Sequence, residues 1–330
     1  MNFMSALSLK RIFLTLALLG MFLAIAFLVS LMFGTAKIEW GSRESQFILL
    51  HIRLPRTLLA FLVGMALSLA GAVFQALLRN PLADPHLLGV SSGGALGVVI
   101  GSGFLMAGSL TLLIPTLSLI GSVTAVFVVY RLSMRKGALS LYTLILVGVM
   151  LNSLFVSAII FLQSVVRSDE LMTVLFWLLG NLTLTSYPRL FFVFIVILLA
   201  SVPLFFQARK LNILSLGEST AHSLGVPVER TKKTVFFLAA LLTGISVSVS
   251  GMIGFIGLVV PHLARVLFGS DYRRLLPTSA LLGGILLILS DTLARTLISP
   301  QELPVGVITS FLGAPFFIYF LKRREAKRVI

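Results

Sequence analysis

Ten apolar stretches dominate the sequence, at 12–33, 57–78, 88–107, 110–130, 141–166, 189–206, 234–252, 255–268, 276–297 and 305–321. A helix rises 1.5 Å per residue, so about 20 apolar residues cross the roughly 30 Å of a bilayer's hydrocarbon. Repeated runs of this length predict an all-α polytopic membrane protein, with residues 1–330 forming a single transmembrane domain. Charged residues make up only 11% of the chain and mean hydropathy is +1.08. A soluble domain carries about 25% charged residues, so this chain cannot cover a water-facing surface. The eighth stretch is short for a crossing, and the third and fourth nearly fuse; the expectation is ten spans, with both termini on one side. The first stretch is longer than the hydrophobic region of a signal peptide and reads as a membrane anchor. With no cysteine in the chain, disulfides, thiolate zinc sites and iron–sulfur clusters are excluded.

The basic residues orient the spans. Of the 26 lysines and arginines, seven fall on the side opposite the termini: Lys37, Arg43, Arg53, Arg56, Arg167, Arg189 and Arg295. The other 19 share the termini's side, which the positive-inside rule assigns to the cytoplasm. The formal charge of +15 is therefore a topology signal rather than a nucleic-acid footprint. The K-R-R-E-A-K-R run from 322 follows a span directly and reads as a cytoplasmic stop in contact with phospholipid.

Shifted by 180 residues, the chain aligns its second span with its seventh. Gly64 meets Gly244, Ser68 meets Ser248, Gly71 meets Gly251 and Pro81 meets Pro261, among 8 identities in the 25 positions from 57 to 81. These two spans run in opposite senses, so the halves form an inverted repeat, an arrangement common in transporters. A duplication that serves packing alone is the other reading. In the third span Gly89, Gly93, Gly97 and Gly101 stand four apart and line one groove, which lets a second helix approach closely. A phosphate loop is excluded, because no strand precedes the segment and the chain has no G-x-x-x-x-G-K-[ST] motif.

The fifth span carries Asn152, Ser153, Ser157, Gln163 and Ser164. The three serines fall within about 40° of one another on a helix. Unpaired amides facing lipid are costly, so this face points at protein or water, as interhelical glue or as the wall of a path. Asp291 sits four residues before Arg295, which an ordinary ion pair explains. His262, beside Pro261, reads as a structural hydrogen-bonder. No triad, carboxylate pair or metal cluster is present, so the chain reads as a conduit without catalysis. The longest loop on the termini's side, 207–233, contains L-S-L-G-E-S-T-A-H-S-L-G-V-P at 214–227, where Gly217 and Gly225 bracket a short helical stretch that begins at Glu218.

That loop, with R-L-P-R-T (53–57), N-P-L-A-D-P-H-L-L-G-V-S-S-G (80–93), G-F-I-G-L-V-V-P-H (254–262) and E-L-P-V-G-V (302–307), resembles the iron-siderophore, cobalamin and haem permease family of bacterial ATP-binding-cassette (ABC) importers, across nearly the whole chain. The resemblance implies ten spans per subunit in the inner membrane. Two permease subunits, here a homodimer, would work with two ATP-binding subunits and a periplasmic or lipid-anchored substrate-binding protein. ATP and Mg would belong to the partner ATPase, and this chain would hold no cofactor or metal. Leu216, Gly217, Glu218, Ser219, Thr220, Ala221, His222, Ser223, Leu224 and Gly225 would form the segment that couples to the ATPase. Arg53, Arg56 and Arg295 would meet carboxylates of the binding protein. Asn80, Leu82, Leu141 and Tyr142 would form the cytoplasmic constriction, and the fifth span would line the path. The rival class, an ion-coupled secondary carrier, needs buried carboxylates that this sequence scarcely has. An ABC exporter would carry longer cytoplasmic helices and often a fused P-loop domain.

Overall fold

The computed structural model describes the backbone at residues 2–36, 39, 41–104, 110–165, 177–182 and 186–326. Side chains are described over the same ranges apart from 2–13, 102–112, 320, 321 and 323–326. Among the basic residues used for topology, Lys10, Arg11, Lys37, Arg167, Arg323, Arg324, Lys327 and Arg328 lie outside the described side chains.

Twelve α-helices and a small hairpin are present among the described residues. The helices before the hairpin are α1 (Asn2–Met32), α2 (Arg43–Leu77), α3 (Val90–Phe104) and α4 (Leu110–Ser133). The hairpin pairs β1 (Met134–Arg135) antiparallel with β2 (Ala138–Leu139). After it come α5 (Leu141–Val165), α6 (Tyr187–Phe206), α7 (Ala208–Leu214) and α8 (Glu218–Ser223). The chain ends with α9 (Val228–Ser250), α10 (Ile256–Phe268), α11 (Tyr272–Thr296) and α12 (Val305–Ala326). Over its described residues, each of the ten apolar stretches is largely helical. Seven helices are long and apolar enough to cross a membrane, namely α1, α2, α4, α5, α6, α9 and α11, while the apolar parts of α3, α10 and α12 are shorter. Among the described residues, length and composition thus account for seven of the ten expected crossings.

Burial sorts the helices. In α2, 83% of the most apolar window is buried, against 17% in α1 and in α5. A helix apolar all round belongs in the middle of a bundle, and α2 packs there against α9, α10 and α11. Its N-terminus is capped by Ser42, whose Oγ accepts from the Ser45 amide. A π-helical turn over Ile48–Arg53 follows, with the Leu54 amide donating to Leu49. Pro55 has no N–H to continue the α pattern, so the irregular turn falls where one backbone bond is already missing.

Small residues set the close approaches. A Cβ on Gly64 would run into the carbonyl of Gly283, and one on Gly71 into that of Gly257, so α2 meets α11 and α10 backbone to backbone. The contacts are duplicated across the repeat: α2 packs on α11 as α9 packs on α4, and α2 on α10 as α9 on α3. Gly64 lies against Gly283, while its counterpart Gly244 lies against Ser122 of α4. The glycine groove of α3 receives α4, with Gly93 against Gly121 and Ala125, and Gly97 against Leu117. Gly89 is not part of that groove. It closes the 3-10 turn Pro85–Leu88 at φ +74°, one residue before α3 begins, and so serves the turn instead.

The described loops gather at two ends of the bundle. At one end the hairpin, the α7–α8 segment and the start of α11 meet, with Asn212 Nδ2 donating to Asp271 Oδ1 at 2.7 Å. Burial acts to raise the Asp271 pKa, but hydrogen bonds from Arg273 and Asn212 outweigh it and hold the carboxyl below its usual range. At the other end the C-terminus of α1, the start of α2 and the end of α11 meet.

Candidate functional site

Helix α8 stands at the first of these ends as a short ledge. Ala221 is fully buried and Val226 nearly so, anchoring one face, while Leu216, Ser219, Thr220, His222, Ser223, Leu224 and Gly225 are exposed. Two large apolar side chains, Leu216 and Leu224, are 69% and 60% exposed at the two ends of a six-residue helix. Gly217 at φ +129° and Gly225 at φ +75° supply backbone conformations that side-chain-bearing residues rarely adopt, and they turn the chain into and out of the ledge.

A buried lysine holds this ledge. Lys232, in the second turn of α9, is 2% exposed. Its Nζ lies 3.0 Å from Glu218 Oε2 at the start of α8 and 2.6 Å from Glu229 Oε1 one turn earlier on α9. It also donates to the Leu139 carbonyl at 2.8 Å. The Leu139 amide donates to Glu229 Oε2 at 2.8 Å, so both backbone polar groups of the last hairpin residue are clamped. Two residues later α5 begins, its first turn held by Ser140 Oγ, which accepts from the Thr143 amide. One ammonium group therefore ties α8, the head of α9 and the entry to α5. Reading Lys232 as a topology charge missed this role; the Glu229–Lys232 spacing was its one local signal.

The arginines at the opposite end are buried. Arg53, Arg56 and Arg295 are 3%, 7% and 3% exposed. Arg56 Nη2 meets Asp291 Oδ1 at 2.9 Å and its Nη1 meets Glu302 Oε2 at 2.7 Å. Arg295 Nε meets Asp291 Oδ2 at 3.0 Å, the expected i,i+4 pair, and its Nη2 donates to Ser30 Oγ at 2.8 Å. Arg53 donates to the carbonyls of Leu31, Met32 and Ala36, capping the end of α1. The three arginines expected to meet carboxylates of a binding protein are thus also engaged within this chain. Buried charges need partners, and here Asp291, Glu302 and carbonyls at the end of α1 supply them.

The residues assigned to a constriction divide. Asn80 Oδ1 accepts from the Leu82 amide at 2.9 Å, shaping the turn after α2 and leaving Leu82 43% exposed. The 3-10 turn that follows packs on α5, where a Cβ on Gly148 would touch Leu87 and Leu88. Leu141 packs against the core, whereas Tyr142 is 78% exposed. Further along α5, Ser153, Ser157 and Ser164 are exposed and Asn152 and Gln163 half-buried. Ser153 and Ser164 donate to carbonyls of their own helix, and among the described residues Gln163 Nε2 has no partner and this strip bonds no neighbouring helix. Met150, Leu154, Ile160 and Phe161 beside it are also exposed.

Two of the quoted motifs meet in space. His86 Nε2 donates to the Ile253 carbonyl at 2.9 Å and its Nδ1 pairs with Ser91 Oγ, while Pro85 packs on Gly257.

Known proteins share this architecture. The model of the FecCD transport family matches residues 13–323. The hemin transport system permease protein HmuU of Yersinia pestis is 44% identical over 284 residues, covering 85% of each chain. The cobalamin import system permease protein BtuC of Halobacterium salinarum is 39% identical over 306 residues, 92% of this chain and 80% of that one. A solved structure described as an inward-facing metal-chelate type ABC transporter superposes with a TM-score of 0.84 at 34% identity, covering 93% of this chain and 98% of the other. With nearly the whole length matched, the chain belongs to the FecCD transport family.

Proposed function

We propose that the chain is the permease subunit of an ATP-binding-cassette importer that carries a metal chelate, a ferric siderophore first and otherwise cobalamin or haem, across the inner membrane. The observation that carries this reading is α8: an exposed ledge ending in two bare leucines, fixed from below by Lys232, suits a groove on a separate ATPase. The relatives named for hemin and cobalamin support a chelate as cargo. The α8 end then faces the cytoplasm, where both termini lie, in keeping with the positive-inside rule. The uncovered face of α5, with its serine strip, suits pairing of two copies around a path that binds its cargo weakly and releases it. At the other end the arginine–carboxylate cluster sets a rigid platform on which the substrate-binding protein docks.

The test is uptake into liposomes that hold the permease with its ATPase, supplied with a ferric siderophore and its binding protein. ATP-dependent accumulation is the expected result. Accumulation driven by a proton or sodium gradient without the ATPase would establish a secondary carrier instead.

A further inference from the structure

A cavity of about 350 Å³ lies beside the ledge, lined by Gln207, Lys210, Pro227, Arg230, Thr231 and Thr234. That volume falls within the roughly 300–1,000 Å³ of small-molecule sites. Its place in the fold is specific. The apolar span of α6 ends at Phe206, and in α9, which begins at Val228, the apolar stretch starts at Thr234, so the cavity sits where two membrane helices leave the hydrocarbon. On the membrane side α6 exposes Val202, Phe205 and Phe206, and α9 exposes Phe237 and Leu241. A headgroup held in the cavity would leave its acyl chains along this apolar surface.

The lining is cationic. Lys210 and Arg230 contribute two positive charges, and no carboxylate lines the wall. The nearest acid in sequence, Glu229, is engaged with Lys232 and Leu139. Pro227 is the N-cap of the 23-residue α9, and no side chain caps the first N–H groups of that helix; Glu229, the acid in its first turn, is turned to Lys232 and Leu139. Thr231 is 98% buried and its Oγ1 has no hydrogen-bond partner; the Gln207 Oε1 is likewise unpaired. A helical threonine ordinarily returns its hydroxyl to a carbonyl of the preceding turn, as Thr243 does. Two cations, a helix start without a side-chain cap and a spare hydroxyl at a membrane boundary make a site for a phosphate diester.

We propose that this cavity binds the phosphate of an anionic phospholipid headgroup. The site adjoins α8 and would fix a lipid against the segment that meets the ATPase.

The test is native mass spectrometry of the full-length chain in detergent, with phosphatidylglycerol or phosphatidylcholine added. Phosphatidylglycerol should be retained preferentially. Each cation near a membrane surface contributes about fivefold in lipid affinity, so Lys210→Ala with Arg230→Ala should weaken phosphatidylglycerol roughly 25-fold and leave phosphatidylcholine unchanged. Thr231→Val, which deletes an unpartnered hydroxyl, should keep the melting temperature while lowering phosphatidylglycerol retention; it serves as the variant that folds if the double change does not. Equal retention of the two lipids, or undiminished phosphatidylglycerol binding by these variants, overturns the site. Saturation by inorganic phosphate with no uptake of phosphatidylglycerol would overturn the lipid as its source.

Discussion

Replacing Lys232 by methionine keeps the apolar stem and deletes the charge. Three partners then lose their common donor: Glu218, Glu229 and the carbonyl of Leu139. Breaking a fully buried ion pair costs about 3–5 kcal/mol. Here the two carboxylates are 36% and 39% exposed and can rehydrate, which removes most of their share. The Leu139 carbonyl is the group left unpaired in a buried setting, at about 1–3 kcal/mol. The cost to the clamped arrangement is therefore about 2–3 kcal/mol, and its population relative to unclamped alternatives falls roughly 30- to 150-fold.

The clamp joins α8 to the entry of α5, so the loss should appear in coupling more than in assembly. Lys232→Met permease should insert, dimerise and retain its ATPase. Chelate moved per ATP hydrolysed, measured in proteoliposomes, should fall about tenfold or more, while Lys232→Arg, which keeps a donor and a charge, should recover much of it. A lowered melting temperature with an unchanged transport-to-hydrolysis ratio would reduce Lys232 to a structural residue and refute the mechanical link.

Asp291→Asn should lower thermal stability by about 3–5 kcal/mol, because Arg56 and Arg295 would share a buried pocket without its carboxylate. Adding Arg295→Met should restore part of the loss, and simple additivity in the double variant would dissolve the cluster as a unit. Gly71→Val should push α2 from α10, since its Cβ meets the Gly257 carbonyl, and reduce the melting temperature by the equivalent of at least about 1–3 kcal/mol; Gly20→Val, with nothing within 4 Å, is the silent control, and equal effects would refute the close approach. Cysteines at Leu216 and Gln301, both exposed, should react with an impermeant thiol reagent from opposite faces of the membrane, and same-face labelling would break the topology.

What the sequence discloses about such a chain depends on how far apart the interacting residues are. The apolar runs are local, and over the described residues each of the ten is largely helical. The Asp291–Arg295 pair spans one helical turn and was legible; Arg56 reaches the same carboxylate across 235 positions and Glu302 across 246, so its burial was not. Without those partners Arg53, Arg56 and Arg295 looked like charges at a water-facing edge. Lys232 followed the same rule: Glu229 was one turn away and readable, whereas Leu139 lay 93 positions distant. The glycine spacing in α3 announced a close helix neighbour without saying which, and Gly89 matched the spacing while belonging to a turn. Long-range contact was visible in advance only through the duplicated sequence, because two copies of one pattern must pack in equivalent ways. Gly64 against α11 and Gly244 against α4 are that equivalence made physical. The ion pairs of Lys232 and Asp291 have no counterpart in the repeat, where Ile52 and Thr111 stand at the matching positions, and each marks one end of the bundle as different from the other.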